Sequence, residues 1–245
     1  MSRLFGREKL VVQLEGAALN GETVLLFGPL GIGKTSVLAE LRRRLVKHGI
    51  PCGFAPDSRH LGDVTAALAS AYPNIDAQAF SQQRLRSRLR LAVEAEPGVL
   101  LLDRFETAGT GMKSFLRSLR RTRTAVVLAA DTENERDHAN ARAQRMTHIE
   151  VEVPPLPRSA MAALMDDLLG SNELPHPLHS EDRKSLIRLA LGNPGRLVMF
   201  VDLLASSRFW RGDRIRAASI GIEEIYRRSD ALPTTASAAA AGPRP

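Results

Sequence analysis

The sequence predicts an α/β protein: a doubly wound, parallel five-stranded sheet around a phosphate loop, followed by a small all-helical subdomain. Three observations predict it. Short, almost wholly apolar runs alternate with helical stripes through the first two thirds of the chain, the pattern of strands buried on both faces of a parallel sheet. A glycine-rich turn joins the first of these runs to a helix. Beyond Pro157 the apolar spacing is helical and no strand is evident.

In chain order, Leu10, Val11, Leu14 and Ala18 form a helical stripe over Glu8 to Leu19 that ends at Asn20-Gly21. Thr23-Val24-Leu25-Leu26-Phe27 is the first strand, and Lys34 to His48 a helix stopped by Gly49 and Pro51. Cys52 to Ala55 is a weaker second strand, with helices expected near 62–71 and 81–95. Val99 to Leu102 is the third strand, Ala125 to Ala129 the fourth, and His148 to Val153 the fifth, ending at Pro154-Pro155. Helices are then expected at 159–170, 181–191, 195–206 and 213–228. The expected organisation is a core over 1–156, a helical lid over 157–230 and a disordered, low-complexity tail over 231–245.

Composition narrows the function classes. No apolar run approaches the roughly 20 residues that span a bilayer, and the N-terminus has no hydrophobic signal region, so a cytoplasmic protein is expected. A single cysteine, Cys52, rules out an internal disulfide and a cysteine-built zinc site. The net charge is +7, and 29 of the 34 basic residues are arginine, whose guanidinium fork suits phosphate oxygens. Attraction to a polyanion is one reading; arginine-favouring codon usage is the bland one.

Gly28-Pro29-Leu30-Gly31-Ile32-Gly33-Lys34-Thr35 satisfies every fixed position of the Walker A pattern G-x-x-x-x-G-K-[ST]. Its glycines let the backbone curl so that N–H groups point at a phosphate, and the following helix adds its positive end. Gly28, Gly31, Ile32, Gly33, Lys34, Thr35 and Ser36 therefore form the expected phosphate-binding set, with ATP as ligand. Lys34 is placed to reach the β- and γ-phosphates, and the Thr35 hydroxyl to take one Mg2+ position. Asp103 follows four apolar residues, which puts it at the carboxyl end of the third strand, where it can hold Mg2+ through water. Arg104 stands where many such ATPases carry a water-orienting acid; Glu106 is the nearest carboxylate, so turnover either uses Glu106 or is slow.

With these motifs the chain resembles the AAA+ ATPases and their STAND relatives over roughly residues 4–206. Phe5-Gly6-Arg7-Glu8 resembles the "GRE" box of origin-recognition-type and STAND ATPases, which implies that Arg7 lies beside the adenine. Leu101 to Glu106 is similar to the Walker B of several STAND groups, Val153 to Pro157 to the hinge into a lid, and Gly192-Asn193-Pro194-Gly195-Arg196 to the start of the lid helix carrying sensor 2. The resemblance implies that Arg196 touches the γ-phosphate and that Asp131 or Thr132 is sensor 1. It also implies an arginine finger between the fourth and fifth strands, for which Arg142 and Arg145 are the candidates. STAND proteins usually carry an arginine where this fourth strand ends Ala129-Ala130-Asp131-Thr132, and they carry long sensor domains. A compact core with a short lid is similar in size to AAA+ regulators of DNA transposition and to helicase loaders. The resemblance thus implies a homo-oligomer, ring or filament, acting with a transposase or helicase.

Arg84, Arg86, Arg88 and Arg90 form i,i+4 rows beside a Leu85/Leu89 stripe, an arrangement able to follow a phosphate backbone. Arg59 is a second candidate, since AAA+ cores commonly point the loop after the second strand into the ring. Arg42 to Arg44 and Arg117 to Arg123 are further basic groups. No aromatic lies among residues 84–90, which favours duplex DNA over stacked single strands. The competing expectations are a STAND-type interaction switch indifferent to DNA and, more remotely, a small-molecule kinase.

Overall fold

The structure, a computed structural model, describes residues 4–105, 109–132 and 149–231. Helix α1 (Glu8–Leu19) leads into β1 (Thr23–Gly28), α2 (Lys34–Lys47), β2 (Cys52–Ala55), α3 (Leu61–Ala69), α4 (Gln82–Ala95) and β3 (Val99–Leu102). These are followed by α5 (Thr110–Arg120), β4 (Ala125–Asp131) and β5 (Ile149–Glu152). The sheet is wholly parallel in the order β2-β3-β4-β1-β5.

Side-chain alternation explains why the strands are apolar throughout. Leu25, Leu100, Leu102, Val126 and Leu128 face one side and pack with α3, α4 and α5. Val24, Leu26, Val99, Leu101 and Val127 face the other and pack with α1 and α2. Both faces are covered, so neither phase of the alternation tolerates a polar residue. Each such aliphatic side chain contributes about 1.5–3 kcal/mol by leaving water.

Helix α5 was not among the sequence expectations. Its apolar stripe (Met112, Phe115, Leu116 and Leu119) is buried against the sheet, and that i, i+3, i+4, i+7 spacing is itself a helix signal.

From Arg158 the chain is α6 (Arg158–Ser171), α7 (Ser180–Ala190), α8 (Pro194–Leu204), a two-stranded hairpin β6 (Trp210–Arg211) and β7 (Arg214–Ile215), and α9 (Ala217–Ala231). A third core, built on Leu156, Met165, Leu186, Leu197, Phe200 and Trp210, holds them together. The hairpin corrects the expectation of an all-helical segment, and it moves the start of the last helix from 213 to Ala217. It turns at Gly212, whose φ of +63° suits glycine, and the Trp210 indole anchors it by donating to the Leu204 carbonyl at 2.8 Å. Strands of two residues carry no readable alternation. The expected tail lies outside the described residues, save for Ala231, which ends α9.

Candidate nucleotide site

The phosphate loop leaves β1 at the carboxyl edge of the sheet, next to the ends of β3 and β4, where parallel sheets bind ligands. Gly31 and Gly33 adopt φ of +78° and +102°, which lets the backbone curl; a side chain at either position would be strained. Ile32 is buried, whereas Thr35 and Ser36 are exposed at the start of α2.

Four of the expected residues meet at the loop's mouth. The Lys34 amine, 8% exposed, donates to the carbonyls of Gly28 at 2.8 Å and Pro29 at 3.1 Å and makes a short contact with the Asp131 carboxylate. The Thr35 hydroxyl donates to Asp103 Oδ2 at 2.6 Å. Asp103 is buried and its other oxygen accepts the Arg104 N–H at 3.0 Å. Arg104 takes a left-handed φ of +50°, a strained turn for a side chain of its size. Thr132 follows the register Gly28↔Asp131, its N–H donating to the Gly28 carbonyl at 3.2 Å. A hydroxyl and a carboxylate converging on one point are hard oxygen donors of the kind Mg2+ takes while keeping several waters. The residues present therefore fit a magnesium–nucleotide ligand.

Arg7 is 4% exposed and donates to the Ile32 carbonyl at 3.1 Å, so it props the loop from behind; burial holds its guanidinium below its ordinary pKa. The start of α8 closes over the front. Asn193 caps that helix, its side-chain oxygen accepting the Arg196 N–H at 3.2 Å, with Pro194 at the first helical position. Its side-chain amide donates to the Leu30 carbonyl at 2.9 Å, and the Gly195 N–H donates to the Gly31 carbonyl at 2.9 Å. A Cβ on Gly195 would lie 2.7 Å from Gly31 Cα, so only glycine permits this approach. Arg196 itself pairs with Glu224 of α9, at 2.5–2.7 Å.

Sequence reasoning missed Glu224 and Ser58, and it named Asn193 and Gly195 only as part of the motif around Arg196, without their contacts to the loop. The buried Ser58 hydroxyl donates to the Asp103 carbonyl at 2.8 Å and fixes the main chain there. Asn193-Pro194 carried a helix-start signal; Glu224 and Ser58 carried none, because their partners are 28 and 45 residues away. The expected water-activating Glu106 and the finger candidates Arg142 and Arg145 lie outside the described residues.

The basic groups are spread out. On α4, Arg84, Arg88 and Arg90 are exposed and Arg86 is half-buried, flanking the buried Leu85, Leu89 and Val93. Arg90 pairs with Glu94 at 3.5 Å, and Arg88 lies over the Phe80 ring, 5.4 Å from its centroid. An aromatic thus does sit against this cluster, brought by the turn before the helix. Arg59 is held by Asp57, whose carboxyl falls to about 2 chiefly through that hydrogen bond. Arg43 and Arg44 pair with Glu40. Among the described residues no helix is long and apolar enough to cross a membrane.

No family model and no curated protein matches the chain. Solved structures do. ORC1 of Aeropyrum pernix in complex with DNA superposes with a TM-score of 0.59 at 16% identity, over 96% of this chain and 70% of that one. The fold is that of the AAA+ ATPases. A Walker-type ATPase of Pyrococcus abyssi gives 0.58 at 18% identity, covering 93% of this chain and 77% of its own. A STAND protein with a tetratricopeptide-repeat sensor from Pyrococcus horikoshii gives 0.56 at 16%, over 93% of this chain and 33% of that one. The AAA+ fold accounts for the parallel sheet and for the helical segment lying against the phosphate loop.

Proposed function

We propose that the chain binds MgATP and hydrolyses it slowly, as a homo-oligomer that assembles on or with duplex DNA and passes its state to a protein partner such as a transposase or helicase. The division into a core over 1–156 and a lid over 157–230 belongs to this reading. The observation that carries it is the convergence of Lys34, Thr35 and Asp103 at one mouth, with Thr35 and Asp103 in hydrogen-bond contact at 2.6 Å. Lys34 would neutralise the β- and γ-phosphate oxygens, while Thr35 and Asp103 would hold a magnesium ion, which would supply further positive charge against developing phosphate charge. Glu106 would orient the attacking water, since Arg104 has no carboxylate. Arg142 or Arg145 would complete a neighbouring subunit's site. Arg7, through Ile32, would keep the loop in its phosphate-binding curl.

DNA contact is supported by the net charge of +7, by the exposed Arg84 and Arg88 and by the likeness to a fold seen in complex with DNA. A second reading, a nucleotide-controlled interaction switch without DNA, is favoured by the internal pairing of Arg59 with Asp57 and of Arg90 with Glu94. Phosphate release from ATP, measured with and without duplex DNA, separates the two. Stimulation by duplex that is lost in the Arg84, Arg86, Arg88, Arg90 quadruple glutamine variant supports the first reading. DNA-independent turnover supports the second, and no turnover by the wild type either without DNA or with saturating duplex refutes the ATPase assignment. Glu106→Gln should lower turnover while sparing ATP binding.

A further inference from the structure

Lys34 is fully engaged by its own protein. An ammonium has three N–H donors, and here the acceptors are the Gly28 carbonyl, the Pro29 carbonyl and the Asp131 carboxylate. A phosphate oxygen can reach the amine only by displacing one of them. The two carbonyls belong to the loop and are neutral; Asp131 is the one anion among the three. It ends β4 directly opposite Gly28 and is 35% exposed, so it faces the mouth and has room to swing away.

We propose that Asp131 is a charge gate that sets how strongly the site discriminates between nucleoside triphosphate and diphosphate, a conclusion that rests on the nucleotide site proposed above. A diphosphate ends at the β-phosphate, and Asp131 can keep a share of the amine beside it. A triphosphate carries about one further negative charge and brings its doubly ionised terminal phosphate towards Lys34, against a carboxylate held at hydrogen-bond distance from the same nitrogen. Those charges repel at close range in a partly desolvated mouth, and the lysine that would screen them is shared. The acid therefore weakens triphosphate more than diphosphate. Without nucleotide, it replaces the terminal phosphate as the amine's counter-ion and keeps a charge that is 8% exposed from being uncompensated.

The isosteric Asp131→Asn substitution removes the charge and keeps an oxygen acceptor for Lys34. Calorimetric titration of the full chain with MgATP and with MgADP reads the effect. We expect the preference for MgATP over MgADP to rise roughly tenfold in Asp131→Asn, mainly through tighter MgATP binding. Asp131→Glu, which restores the charge, should return the ratio towards that of the wild type. An unchanged ratio in Asp131→Asn, with both nucleotides bound and the fold intact by circular dichroism, overturns the gate and leaves the nucleotide site standing. Absence of binding of both nucleotides to the wild type overturns the site and the gate together.

Discussion

Lys34 and Arg196 are the two described cations aimed by the sequence at a terminal phosphate, and each is held by a carboxylate, but in unlike surroundings. The Lys34–Asp131 pair lies at the mouth of the sheet, with Asp131 35% exposed. The Arg196–Glu224 pair joins α8 and α9, with Glu224 5% exposed. An exposed acid can be rehydrated as it leaves, whereas a buried one loses its partner without gaining water. The Lys34 pair is therefore suited to exchange for a ligand, and the Arg196 pair to hold α8 against α9. For Arg196 to meet a phosphate, its pair with Glu224 must be given up or shared.

Four substitutions would break or sharpen that contrast. The largest effect is expected for Arg196→Ala, which removes the guanidinium from beside the buried Glu224 carboxylate. It should cost roughly 2–3 kcal/mol in denaturant unfolding, below the full buried-pair figure because Arg196 keeps some solvent contact. A cost equal to that of Asp131→Ala would erase the distinction.

Gly195→Ala tests the clasp between the start of α8 and the phosphate loop. Its Cβ would press on the backbone of Gly31 and strip the Gly195 N–H from the Gly31 carbonyl. A loss of about 1–3 kcal/mol is expected, with the nucleotide affinity altered as well, because the loop would shift. Unchanged stability and affinity would show that the clasp is incidental. Asp131→Ala should cost less by the same unfolding measurement, roughly 1–2 kcal/mol, since the buried Lys34 amine loses its counter-ion but keeps the Gly28 and Pro29 carbonyls.

The smallest effect calibrates the scale on the outer face of α2. Hydrogen bonding from Arg43, aided by Arg44, holds the Glu40 carboxyl down at about 2 against an ordinary 4.5. A depressed acid stabilises the fold above its unfolded pKa and loses that contribution as pH falls through the folded value. Stability should thus decline between about pH 4.5 and 2, and Glu40→Gln should remove that part of the slope, worth at most about 1 kcal/mol next to solvent.

Legibility followed the range of the interactions. The strands Thr23–Gly28, Val99–Leu102 and Ala125–Asp131 could be read because burial on both faces writes a continuous apolar run. The phosphate loop could be read because its geometry demands particular residues at fixed spacing. The Trp210–Ile215 hairpin is too short to write a period, and it rests on packing among the helices that follow Pro157. The partners of the catalytic-looking cations, Asp131 and Glu224, are chosen by tertiary placement, 97 and 28 residues away. Sequence could name Arg196, but not that its guanidinium is held by α9.

The most direct test of the account is calorimetric titration of MgATP into the wild type and into Lys34→Ala, with both proteins checked for equal folding by circular dichroism. The account predicts saturable one-site binding by the wild type. It predicts binding at least about a hundredfold weaker in Lys34→Ala, since the variant loses a charge-assisted contact to two phosphates in a partly desolvated mouth. Equal affinity in a folded Lys34→Ala protein would contradict it, because the Gly28–Thr35 loop would then not be where the phosphates sit.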